Sequence, residues 1–186
     1  MANPVSTKRT TRRDTLRIGG AVGVALAAGA ALSSNAAAQS ATPPAGGMSI
    51  ARQTISLQAA TMLVEAAQQK AMELGIAVNI AVVDESGMLK AFHRMDGNNN
   101  AASVDISQMK AFSAASFRTP THQIAEGAAD NPQRIASLTN VPGFTLLLGG
   151  YPVMDGDAVI GGIGVSGGSP EQDMEVAEAA LAAIAQ

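Results

Sequence analysis

The 186-residue chain holds two histidines, His93 and His122, and a neutral imidazole at either position is a candidate ligand for a metal ion or a haem iron. A lone histidine is also a common hydrogen-bonded structural residue, so each carries both readings. Three cations stand among mostly apolar neighbours: Arg94 in Arg94-Met95-Asp96-Gly97, and Lys110 and Arg118 in the run from Lys110 to Thr121. Such side chains grip the carboxylates of an organic acid or the propionates of a porphyrin, and arginine does so in bidentate fashion. The alternative for all three is an ion pair inside the fold with Asp84, Asp96 or Asp105.

Other chemistries fall away on residue type and context. Gly162-Ile163-Gly164-Val165-Ser166-Gly167 copies the dinucleotide fingerprint, yet no second strand and no acid about 20 positions further on follow it before Gln186. Glu171, Asp173 and Glu175 stand in the first turns after that loop, where they complement the helix dipole and repel a pyrophosphate. The glycines are instead expected to permit close backbone packing and a tight strand-to-helix bend. No Ser-His-Asp order with a nucleophile elbow appears: Gly164-Val165-Ser166-Gly167-Gly168 has the elbow's spacing, but His93 and His122 both precede the serine, against the order such triads follow. With no cysteine, disulfides, thiolate metal sites and cysteine nucleophiles are excluded, and no paired-histidine zinc motif is present. The eight methionines after Met1 read mostly as core filler.

These residues need a scaffold, and the hydrophobic periodicity supplies one. Ile55, Ala59, Met62, Leu63 and Ala66 follow helical spacing up to Gly75. Ile76 to Val83 and Met88 to Met95 read as two antiparallel strands around Asp84-Glu85-Ser86-Gly87. Ser103 to Phe117 is a second helix stopped by Pro120, a shorter piece runs from Thr121 to Ala129, and Asn131-Pro132 opens another turn or helix. Strands are expected at Phe144 to Leu148, Tyr151 to Met154 and Ala158 to Val165, the last two joined by an Asp155-Gly156 hairpin. Ser169-Pro170, with Gln172, caps a final helix bearing Met174, Ala177, Leu181 and Ile184 on one stripe. The sum is an α+β domain over residues 49–186 with one five-stranded, mainly antiparallel sheet flanked by helices.

Ahead of that domain, Thr11-Arg12-Arg13-Asp14-Thr15-Leu16-Arg17 precedes a Gly- and Ala-rich apolar run and then Ala36-Ala37-Ala38. This is the layout of a twin-arginine export signal over residues 1–38, cleaved to leave a chain starting near Gln39, with a flexible tether at 39–48. An ordinary secretory signal is the alternative, and either one predicts a periplasmic or secreted protein. Ile18 to Leu32 is too short for a spanning helix, which needs about 20 apolar residues, so no membrane anchor is expected after cleavage. Five of the twelve basic residues and one of the fifteen acidic ones lie before residue 39, leaving seven against fourteen, a net charge of −7. That balance argues against nucleic acid and anionic membranes as partners.

Several blocks in one order, Ala81-Val82-Val83-Asp84 with Gly87, Arg94-Met95-Asp96-Gly97, Lys110-Ala111-Phe112, Pro120-Thr121, Gly149-Gly150-Tyr151-Pro152-Val153, and Ile163-Gly164-Val165-Ser166-Gly167 with Gln172-Asp173, closely resemble the GlcG/HbpS family. These are haem-binding domains, to which haem degradation is also ascribed, found as well at the C-terminus of PduO-type proteins. The resemblance runs from about Ile50 to Ile184. It implies a profilin-like α/β/α domain, a tendency to form homo-oligomers, and binding of haem or a similar small ligand. Met174 stands where the family has a glutamate after Gln-Asp, so no metal or proton role is carried over to that position. An N-terminal histidine that serves as axial ligand in other members has no equivalent here. The expectation is an exported protein that sequesters or carries haem, with weak haem-degrading activity left open. In that reading His122 or His93 is the axial ligand, and Lys110, Arg94 or Arg118 meets the propionates. The alternatives are an accessory module for small organic acids, of the glycolate or diol metabolism type, and a structural oligomeric partner without haem.

Overall fold

Ser56 starts the first helix, α1 (Leu57–Glu73), by accepting a hydrogen bond from the Ala59 amide at 3.1 Å, and Gly75, at φ 68°, turns the chain away from it. The computed structural model describes residues 47–185, and the expected signal at 1–38 and the tether up to residue 46 lie outside them. Strands β1 (Asn79–Asp84) and β2 (Leu89–Arg94) form an antiparallel hairpin. Asp84 Oδ1 closes its turn by accepting from the amides of Ser86 at 2.9 Å and Met88 at 3.0 Å. Three helices follow, α2 (Ala102–Phe117), α3 (Thr121–Glu126) and α4 (Pro132–Thr139), the last capped by Asn131. The second hairpin, β3 (Gly150–Asp155) and β4 (Ala158–Ser166), turns over Gly156 at φ 57°. Helix α5 (Pro170–Ile184) carries the full capping box, Ser169 and Gln172 each satisfying the other's backbone amide.

The sheet has four antiparallel strands in the order β2-β1-β4-β3, flanked by helices in an α+β fold. The expected fifth strand, Phe144 to Leu148, does not form. Its amides go to a turn and to side chains rather than to a ladder: Phe144 N donates to Val141 O at 3.1 Å, Thr145 N to Ser113 Oγ at 2.8 Å, and Leu147 N to Thr145 Oγ1 at 3.1 Å. Phe144 is buried with its ring 5.0 Å from that of Phe117, so the segment packs against the end of α2.

Strand alternation sorts the core into two unequal halves. Ile80, Val82, Tyr151, Val153, Ile163 and Val165 face α1 and α5, where Leu63, Val64, Val176 and Ala177 complete the larger cluster. On the opposite face, Ala81, Val83, Ala111 and Ala115 form a smaller cluster, with Phe92 beside them. There α2 lies against glycines. A Cβ on Gly162 or Gly164 would strike the backbone oxygen of Ala111 or Ser107, and one on Gly150 would strike that of Lys110. The resemblance to a dinucleotide loop has a packing cause, as the sequence reading expected.

Candidate functional site

The last turns of α1 and the end of β2 enclose a surface cleft of 490 Å³ lined by Gln68, Met72, Phe92, His93, Arg94 and Asp96, with Met95 beside them. Periodicity explains how Gln68 arrives there. It stands four residues after Val64 and three before Ala71, both buried, so the helix carries this amide along the border of its buried stripe toward β2. Gln68 Oε1 lies 2.8 Å from His93 Nδ1. An amide oxygen only accepts, so in this pairing Nδ1 is the donor, and in the neutral tautomer that makes it Nε2 keeps its lone pair. This is the orientation in which an imidazole serves as a metal ligand, with its far nitrogen held by a neighbour. Arg94, the next residue, is exposed and makes no ion pair among the described residues. The cleft therefore combines one available imidazole nitrogen, a cation, two thioethers and an aromatic ring.

The other three candidate residues lie elsewhere. His122 opens α3, half-buried, with its ring 5.7 Å from that of Tyr151. Its Nδ1 is buried without a hydrogen-bond partner among the described residues. Burial and the acceptor Glu178 push the Tyr151 phenol well above its usual range, and its hydroxyl donates to Glu178 Oε1 at 2.6 Å. Lys110 is withdrawn from solvent: Nζ donates to Val165 O at 2.7 Å and to Asp173 Oδ2 at 2.8 Å. Its partner is Asp173, at the start of α5, and none of the expected Asp84, Asp96 and Asp105. Desolvation pushes the Lys110 ammonium down and the Asp173 carboxyl up, each partly offset by the other. Gly149, at φ 107°, leaves the space they fill, because a Cβ there would sit 2.8 Å from Asp173 Cβ and 3.2 Å from Lys110 Nζ. Arg118 ends α2 and lines a different cleft.

Thus His93 and Arg94 come together, while His122, Lys110 and Arg118 do not join them. Sequence reasoning missed Gln68, whose signal was a polar residue on an apolar helical stripe, and the pairing of Asp173 with Lys110, 63 positions apart.

The family model described as haem degrading protein HbpS-like matches residues 55–182. The chain belongs to the HbpS-like family. It is 39% identical over 129 residues to an uncharacterized 15.0 kDa protein in the dhaT-dhaS intergenic region of Citrobacter freundii, covering 69% of this chain and 90% of that one. Among solved structures, a double mutant of HbpS from Streptomyces reticuli superposes with a TM-score of 0.69 at 35% identity, covering 77% of this chain and 97% of the other. A PduOC–haem complex does so with a TM-score of 0.66 at 30% identity, covering 70% and 95%.

Proposed function

We propose that this HbpS-like protein is an exported haem-binding protein that sequesters or carries haem, and that it holds haem at the cleft between α1 and β2. The observation that carries the reading is His93, whose Nδ1 is engaged by Gln68 while Nε2 stays free to ligate iron. Arg94 supplies a cation for a propionate, and Phe92, Met72 and Met95 offer apolar surface to the porphyrin face. At 490 Å³ the cleft falls within the size range of small-molecule sites. A haem-complexed relative of the same fold adds support. Haem bound here would supply an iron centre able to take a nitrogen ligand, which His93 would offer, and to exchange an electron. Lys110 is excluded from the propionate role because its ammonium is already held inside the fold. The proposal extends to homo-oligomers, in which exposed Leu57, Met62, Met88 and Leu89 would be covered.

Titration of the purified chain with haemin, followed by visible absorption, tests this. The expected result is a saturable Soret shift, lost or moved in His93→Ala, weakened about tenfold in Gln68→Leu, and retained in His122→Ala. Full retention in His93→Ala with loss in His122→Ala would transfer the ligand role to α3. No shift in the unaltered chain would end the haem reading.

A further inference from the structure

The cleft that holds His93 also holds two thioethers, Met72 and Met95. His93 lies opposite Ile80 in the β1–β2 ladder, and Met95, two residues on, donates its amide to Val78 O at 3.1 Å. Ile80 and Val78 both belong to the cluster under α1, so His93 and Met95 share the sheet face that α1 covers. On α1, Gln68 and Met72 are four residues apart and lie one above the other. Four helical residues rise about 6 Å and two strand residues about 6.6 Å, so the two steps match. Both elements run toward Asn79, the first residue of β1, and hence in the same sense. Gln68 stands abreast of His93 at 2.8 Å, which brings Met72 abreast of Met95.

Core filling does not account for Met72, which is 64% exposed. Met95 is half-buried against the α1-side cluster, which gives its thioether a fixed base. His93 is the most constrained of the three, since Gln68 engages Nδ1 in the way that proteins orient an imidazole whose other nitrogen binds a metal. The cleft thus offers one imidazole nitrogen and two thioether sulfurs. Thioethers are soft ligands that select monovalent copper, whereas zinc takes thiolates, imidazoles and carboxylates, and calcium and magnesium take oxygen. Among the described residues no group of three or more histidine, aspartate and glutamate side chains is placed to hold a metal ion, so a harder ion finds no comparable donor set there.

We infer that this cleft binds one monovalent copper ion, through His93 Nε2 and the thioethers of Met72 and Met95. Arg94 and Asp96, which line the same cleft, cancel in charge and leave the soft donors to set the preference. The site shares His93 with the haem reading and does not depend on it.

Withdrawal of Cu(I) from its coloured bicinchoninate complex by the full chain, under ascorbate and without oxygen, tests the inference. One equivalent of copper is expected to leave the probe, read as loss of the complex's visible absorption. Met72→Leu and Met95→Leu keep the apolar volume and lose the sulfur, so each should weaken binding by about tenfold or more with little change in thermal midpoint. His93→Ala should abolish binding, and Gln68→Leu should weaken it about tenfold. Copper-edge X-ray absorption should show both sulfur and nitrogen bound to the ion, and zinc should give no saturable heat by calorimetry. No withdrawal of copper, full binding in the Met72→Leu/Met95→Leu double variant, or zinc held as tightly as copper would overturn the inference. Copper bound by a chain that refuses haemin would still support it, whereas haemin bound through His93 by a chain that refuses copper would overturn it and leave the haem reading intact.

Discussion

Lys110 and Asp173 are held by complementary needs: the ammonium has only Val165 O and the carboxylate as close acceptors, and the carboxylate also takes the Gly168 amide at 2.9 Å. Burial alone would favour neutral forms of both, so each ion depends on the other. Lys110→Met leaves the carboxylate uncompensated and should cost about 3–5 kcal/mol at neutral pH by urea denaturation. The sign of its pH dependence follows from Asp173, whose folded value already lies above its ordinary one. Stability tied to a raised carboxyl is present in full below the ordinary value and is lost as pH rises through the raised one. In Lys110→Met that value rises further, so the deficit relative to the unaltered chain should be smallest in acid and grow toward neutrality. A deficit independent of pH would show that the loss comes from packing and not from the stranded charge. None of this pairing was legible in the sequence, because helical and strand periods report a residue's face and not its partner on a distant element.

Between α2 and the sheet, small residues set the distance. Ser107 and Ala111 lie over Gly162 and Gly164, so the helix backbone rests on the strand without side chains between them. Gly164→Ala would place a Cβ 2.5 Å from Ala111 N and should cost about 3 kcal/mol, whereas Gly75→Ala, with nothing within 4 Å, should cost about 1 kcal/mol from its positive φ alone. Thermal or urea denaturation of the two variants checks the contrast, and equal losses would refute the seam. Elements with local signals were readable in advance: the Ser169–Gln172 capping box, the Asp155-Gly156 hairpin, and the stop at Pro120 after Phe117 all stand where periodicity and turn chemistry put them. Phe144 to Leu148 was not, since an apolar run reports burial but leaves open whether its amides meet a strand or, as here, the hydroxyls of Ser113 and Thr145. Of the candidate cleft, part was legible. His93 and Arg94 were named from residue type, but the Gln68 contact that fixes the imidazole crosses from another element.

At the scale of the whole chain, we propose that the arginine-paired segment 1–38 is a leader that directs the acidic domain, already folded, out of the cytoplasm. Arg12→Lys/Arg13→Lys in the full chain, expressed in a host with the twin-arginine pathway, should leave the protein in the cytoplasmic fraction at its uncleaved size. Unchanged export would favour the ordinary secretory route. The domain's two faces differ in thickness, a broad apolar cluster under α1 and α5 against a thin layer of alanine and valine under α2. The cleft at His93 lies at the perimeter of this domain, where α1 meets the end of β2. Were haem held at that rim as we propose, it would enter and depart without the protein having to open. Its residence time would then be governed by the strength of a few coordinate or ionic bonds, which under that proposal would suit handing cargo onward better than long-term storage.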